Sequence, residues 1–166
     1  YGDFVRSIGG NAYHLGWIVG VGTIGSLVMR FWQGAGIDRY GPRVVWLGSL
    51  VLFTLSCLGH LYVDSAESLA VYALRIVLSV ATAGVFGASI TSVSRSLSLV
   101  RMTEVISVLG TSGFVAMALG PTIADALFAS AGPVAGSRRM FWLSAALATV
   151  SLALAAAAMR HETAPL

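Results

Sequence analysis

Five apolar stretches, each about twenty residues long, alternate with short polar segments along the chain. They lie at roughly 14–34, 44–63, 69–90, 105–128 and 141–159. A helix needs about 20 mostly apolar residues to cross a bilayer, and it must close its own backbone hydrogen bonds because lipid offers no partners. The pattern therefore predicts an all-α fold, a polytopic membrane helix bundle with five transmembrane helices. The short connections predict that neighbouring helices are antiparallel.

The composition also favours a membrane protein, with the lipid bilayer as its first partner. Hydrophobic residues make up 57% of the chain and charged residues 10%, whereas a soluble domain carries roughly 25% charged residues. The formal charge of +3 is too small and too scattered to indicate nucleic-acid binding. Cys57 is the single cysteine and lies in an apolar run, which leaves neither a disulfide framework nor a metal cluster. We expect no metal and no cofactor.

The segment 34–43 concentrates glycines and charges between two apolar runs. We predict a tight, charged loop that turns sharply at the membrane surface. Its spacing resembles the cytoplasmic loop between the second and third helices of major facilitator superfamily transporters. The positions that match are Gly34, Asp38, Arg39, Gly41 and Arg43. Pro42 departs from the pattern, because the family usually has a basic residue there.

The resemblance implies that the five spans correspond to helices two to six of the family's first six-helix half. Residues 1–166 would then be a partial N-terminal domain. The domain would need a first helix and a second six-helix half, or a partner half. The chain begins with Tyr rather than Met, and we expect it to be a fragment.

Family members carry small solutes by rocking one half against the other around a central site. The implied function is secondary transport of a small solute, with or without protons, in the plasma (bacterial inner) membrane. Asp38, Arg39 and Arg43 would form charge pairs that gate the inner side. Gly34 and Gly41 would permit the close turn.

A polar stripe headed by an arginine runs along the third span. Arg75, Ser79 and Thr82 follow one another at steps of four and three, so they share one helical face. A charge inside the bilayer costs at least about 2.5 kcal/mol and usually faces a cavity or a partner. The stripe resembles the cavity-facing side of the family's fourth helix, which often carries an Arg here. The alternative is an arginine that snorkels to the outer surface.

The fourth span contains a Gly-Pro step and an acid. Gly120 and Pro121 interrupt the helix and predict a kink, because proline removes one backbone hydrogen bond. The step resembles part of the Gly-Pro-x-x-Gly-Gly element in the fifth helix of family antiporters. Asp125 is either a coupling acid for protons or a side chain that reaches the outer headgroups. Symport, antiport and uniport all stay open.

The polar segments predict exposed structure. We expect 1–12 to be an exposed loop, 91–103 a solvated cytoplasmic surface, and 132–139 a small outer loop. His14 and His60 fall near outer span ends without a partner at metal-ligand spacing, so we interpret both as interfacial residues.

Two other functions fit parts of the sequence. One is a non-transporting membrane-interaction protein, a remnant half that packs with a partner. The other is an intramembrane serine protease, because 110–113 reads Gly-Thr-Ser-Gly. A nucleophilic Ser112 would need a base, and no histidine falls in the middle of a span. We therefore expect no enzymatic activity and no catalytic residue.

Overall fold

The computed structural model describes residues 1–96 and 98–162. Its helices are α1 Gly2–Ser7, α2 Ala12–Tyr40, α3 Pro42–His60, α4 Leu69–Ser96 and α5 Leu99–Glu162. No strand occurs among the described residues. Four helices, α2 to α5, are long and apolar enough to cross a membrane. The predicted all-α polytopic bundle is thereby confirmed.

Helix α2 extends well past the predicted span. It begins at a capping box in which the Asn11 side chain accepts the His14 backbone N–H at 3.1 Å. It continues helically to Tyr40, so the prediction of a loop over 34–43 is wrong. Gly41, with φ 85° and ψ 155°, is the one residue between α2 and α3. Asp38 and Arg39 remain helical because the loss of apolar residues marks where a helix leaves the bilayer, not where it ends.

The turn at Gly41 depends on glycine, while Gly34 does not contribute to it. A φ of 85° with an extended ψ is a region of backbone conformation that is essentially restricted to glycine. Pro42 then occupies the first position of α3, where its missing N–H costs nothing. Gly34 lies inside α2, and a β-carbon there would meet no atom within 4 Å.

Helix α5 consists of two arms that meet at Gly132. This residue has φ 75° and ψ 173°, and a β-carbon at Gly136 would lie 3.0 Å from Phe128 Cα. Eight residues of continuous helix would separate these positions by about 12 Å, so the chain reverses at Gly132. The prediction of a loop over 132–139 is wrong, because 133–139 is helical. Each arm, 99–131 and 133–162, exceeds the roughly 20 residues that a crossing needs.

The residue with non-helical φ and ψ inside α5 is Gly132, eleven residues after the predicted kink at Gly120 and Pro121. The backbone through Gly120 and Pro121 keeps helical φ and ψ, whereas Gly132 breaks the helix. A non-helical residue at position 120 would expose backbone groups in the middle of an apolar run, where lipid cannot satisfy them. Whether the helix bends at Pro121 stays a prediction.

The connection between α4 and α5 is also shorter than predicted. Helix α4 ends at Ser96 and α5 begins at Leu99, so the solvated segment over 91–103 is wrong as a loop. As at 34–40, polar and charged residues such as Arg95 lie on a helix that continues beyond its apolar part.

The first residues belong to the core, not to an exposed loop. Phe4 and Val5 of α1 are 3% and 0% exposed. Phe4 packs on Phe141 of α5, with 4.9 Å between the two ring centroids. The prediction for 1–12 is therefore wrong for α1, because its two apolar side chains belong to a buried core cluster with residues of α2, α3, α4 and α5.

His60 is buried, so the interfacial interpretation is wrong for this residue. It is 1% exposed and stacks on Phe141 at 4.7 Å between ring centroids. Its Nδ1 lies 2.7 Å from the Ser56 carbonyl and its Nε2 lies 3.2 Å from the Tyr1 hydroxyl. Since a carbonyl only accepts, Nδ1 donates to Ser56 and the Tyr1 hydroxyl donates to Nε2. Both ring nitrogens have hydrogen-bond partners, so the buried imidazole leaves no polar atom unsatisfied.

Candidate functional site: a polar cleft between α2 and α4

Glycines let α4 pack closely against α2 and α3. A β-carbon at Gly22 would lie 2.8 Å from Arg75 Cγ, and one at Gly84 would collide with the Ser49 hydroxyl. Gly84 also faces Gln33, whose Nε2 would be 2.9 Å from that β-carbon. Small residues at such positions allow helix backbones to approach each other in a membrane. A cleft lies between α2 and α4 beside these contacts, because Arg75 and Gln33 also line it.

The cleft has a volume of about 780 Å³ and is lined mainly by α2 and α4, with Phe53 contributed by α3. All three members of the predicted stripe, Arg75, Ser79 and Thr82, line it. The cleft continues along α4 as far as Thr91. It therefore approaches the end of the bundle that carries Asp38 and Arg95, which we call the Asp38 end.

Arg75 enters the cleft with its hydrogen-bonding groups unused. Its Nε is buried and has no hydrogen-bond partner. The guanidinium carbon lies 4.5 Å from the centroid of the Tyr1 ring, so one face of the group is occupied by a cation–π contact. Among the described residues, no carboxylate is within ion-pair distance of Arg75. The arginine is therefore held in place by packing, and its donors have no partner among the described residues.

Ser79 and Thr82 differ in what their hydroxyls do. The Thr82 hydroxyl donates to the Leu78 carbonyl at 2.8 Å, the usual bond of a threonine in a membrane helix. The Ser79 hydroxyl has no hydrogen-bond partner within the described part of the chain. Ser79 lies one turn after Arg75 on the same face, so the two side chains form a pair of neighbouring donors.

The sequence analysis missed a second polar stripe, on α2. Ser26, Arg30, Gln33 and Ile37 line the cleft opposite α4. The steps between them are four, three and four residues, the spacing of one helical face. Gln33 Nε2 donates to the Val80 carbonyl at 2.7 Å, which ties α2 to α4. A polar residue at positions 30 and 33 within an apolar run was the signal that could have found this stripe.

The residues of the 34–43 segment are brought together only in part. The Asp38 carboxylate lies 3.1 Å from the Arg95 guanidinium of α4, a partner that the sequence analysis did not name. Arg39 lies 5.3 Å from the ring centroid of its neighbour Tyr40, and Arg43 is the second residue of α3. Gly34 lines the cleft.

Asp125 lies outside this cleft. It is exposed on the first arm of α5, and among the described residues it has no ion-pair partner. Ser112 is exposed on the same arm, where its hydroxyl donates to the Leu109 carbonyl at 2.7 Å.

Long apolar helices around a polar cleft define an integral, multi-pass membrane protein. The family model of the Major Facilitator Superfamily matches residues 3–166. The chain therefore belongs to the major facilitator superfamily, whose members are membrane transporters rather than enzymes. Comparison with the curated proteins and with the solved structures gives no match.

Proposed function

We propose that the chain is part of a secondary transporter that moves a small solute by alternating access, in the plasma (bacterial inner) membrane. The observation that carries the proposal is the polar cleft around Arg75 in a chain of this superfamily. An arginine with unused donors is costly in a membrane bundle, and a solute that binds there offsets this cost. Arg75, Ser79 and Thr82 form the solute pathway.

Asp38 acts as the gating residue at its end of the bundle. Its ion pair with Arg95 joins the last turns of α2 and α4, beside the end of the cleft. A switch between two states requires a contact that differs between them. We propose that this pair forms in one state and breaks in the other, and that Arg39 and Arg43 belong to the same gate.

The first arm of α5 exposes an apolar surface that a membrane environment or further helices would cover. Phe114 and Met117 of this arm are 75% and 76% exposed. Lipid, a preceding helix and a second six-helix half, or a partner half, would cover such a surface. Asp125 is the candidate coupling acid on this arm, and Gly120 with Pro121 is the candidate bend.

The test is solute uptake by cells that express the full-length protein, compared with cells that carry an empty vector. We expect at least one solute from a panel of sugars, amino acids and organic acids to accumulate above the vector level. Arg75→Ala should remove this accumulation while the protein still reaches the membrane. Equal uptake by the wild type and the Arg75→Ala variant would contradict the role of the cleft.

A further inference from the structure

Among the described residues, all charged side chains that line the cleft are positive. Arg30 and Arg75 both line it, and no aspartate or glutamate is among the described residues that do so. Neither arginine has a carboxylate within ion-pair distance among the described residues. Asp38, the acid nearest to the cleft along α2, is paired with Arg95. Among the described residues, the cleft therefore presents two positive charges without a compensating negative charge.

The two arginines enter the cleft at different depths. Arg75 packs against Gly22 of α2, and Arg30 lies eight residues further along that helix. At 1.5 Å per residue, the two levels are about 12 Å apart. Arg30 is exposed on the side of the Asp38 end, whereas Arg75 is partly buried with a fully buried Nε. An anion that enters from the Asp38 end would pass Arg30 first and reach Arg75 afterwards.

The orientation of Arg75 suits an oxygen anion. The Tyr1 ring covers one face of the guanidinium, and the N–H donors project from the edge of this planar group. An edge of two parallel N–H groups matches a carboxylate or a phosphate in bidentate geometry. The unpartnered Ser79 hydroxyl on the next turn supplies a further donor. Gln33 has amide capacity left beyond its bond to Val80.

We propose that the transported solute carries an anionic oxygen group, a carboxylate or a phosphate, and that Arg75 and Ser79 bind this group. The inference rests on the proposed transport function, because it names the class of solute for the same cleft. Arg30 supplies the second positive charge, which raises the local concentration of anions at the Asp38 end. The same argument predicts weaker binding of a neutral sugar or a cationic solute.

The first test measures binding to the purified full-length protein by thermal unfolding at constant ionic strength. Three anions are compared with uncharged counterparts: gluconate with sorbitol, succinate with succinamide, and glycerol 3-phosphate with glycerol. We expect at least one anion to raise the Tm by several degrees while its counterpart does not. The anion that raises the Tm shows whether the protein binds a carboxylate or a phosphate. Absence of a shift with all three anions, or an equal shift with the neutral compounds, overturns the proposal.

Variants then locate the binding site. Arg75→Gln should weaken binding of the anion at least tenfold, Ser79→Ala a few-fold, and Arg75→Lys less than Arg75→Gln because it keeps the charge. Arg139→Gln is the matched control, since Arg139 is exposed on the second arm of α5 and does not line the cleft. If Arg75→Gln does not fold, Ser79→Ala and Arg75→Lys still test the site. Unchanged binding in the cleft variants overturns the assignment.

Counterflow in proteoliposomes separates this inference from the proposed function. Binding of an anion without any counterflow contradicts transport but leaves the anion site intact. Counterflow of a neutral solute that is unaffected by Arg75→Gln supports transport and overturns the anionic class. Counterflow of the bound anion that is lost in Arg75→Gln supports both.

Discussion

The Asp38 carboxylate lies 3.1 Å from the Arg95 guanidinium and thereby links the last turn of α2 to the last turn of α4. Both side chains are largely exposed, at 77% and 52% of their surface. An exposed pair contributes about 0–1 kcal/mol to stability. The pair is therefore better suited to a contact that opens and closes than to one that stabilises the fold.

We predict that Asp38→Asn impairs transport several-fold and leaves membrane insertion unchanged. Arg95→Gln should have the same effect, and the double variant should be no worse than either single one, because each change removes the same contact. Uptake and surface expression of the full-length protein measure the two properties. Asp3→Asn is the control, since its pair with Arg6 lies within α1. Wild-type uptake by Asp38→Asn would remove the gating role.

Gly84 is predicted to be intolerant of a β-carbon. Gly84→Ala places a methyl group against Ser49 and Gln33, and overpacking of this kind costs about 1–3 kcal/mol. Gly87→Ala is the matched control one turn away, where a β-carbon meets no atom within 4 Å. It should be neutral or slightly stabilising, because alanine favours the helix by about 1 kcal/mol. The Tm values of the two variants test this prediction. Equal values would contradict the close approach of Gly84 to Ser49 and Gln33.

The reversal at Gly132 is predicted to require glycine. Its φ of 75° with ψ 173° costs another residue about 1–3 kcal/mol, so Gly132→Ala should lower the Tm and the yield of folded protein. Gly120→Ala is the control, since Gly120 also precedes a proline but keeps a helical backbone. Thermal unfolding of both variants provides the comparison. A Tm of Gly132→Ala at or above that of the control would show that the turn tolerates a side chain.

Tyr1→Phe is predicted to destabilise the protein through His60. The substitution leaves the buried His60 Nε2 without its donor, and an unsatisfied buried group costs about 1–3 kcal/mol. Tyr13→Phe should have little effect, because Tyr13 is 69% exposed. The difference in Tm between the two variants measures the hydrogen bond. No difference would mean that His60 obtains its partner elsewhere.

The class of fold was predictable, but the helix ends were not. Apolar length identifies the part of a helix that lies in lipid, and residues such as Asp38 and Arg95 lie beyond it on the same helices. The three Gly-Pro steps illustrate the difficulty. Those at 41–42 and 132–133 begin a new helix, while that at 120–121 continues one. The Gly-Pro dipeptide is the same in each, so the flanking residues and the packing around it decide whether the helix continues.

The cleft was predictable on one side only. The spacing of Arg75, Ser79 and Thr82 gave the face of α4. The face of α2 went unnoticed because Arg30 and Gln33 lie near a segment whose charges were attributed to a loop. The Asp38 partner, Arg95, is 57 residues away in the chain, and only the packing of α4 against α2 brings the two together.

The single residue between α2 and α3 has a mechanical consequence. With only Gly41 between them, the two helices have one pair of backbone dihedrals through which to change their mutual angle. Close packing at Gly22 and Gly84 holds α4 against α2 and α3 at two levels along the helices. Motion during a transport cycle should therefore move the closely packed middle parts of these three helices together, while the Asp38–Arg95 contact at their ends forms and breaks.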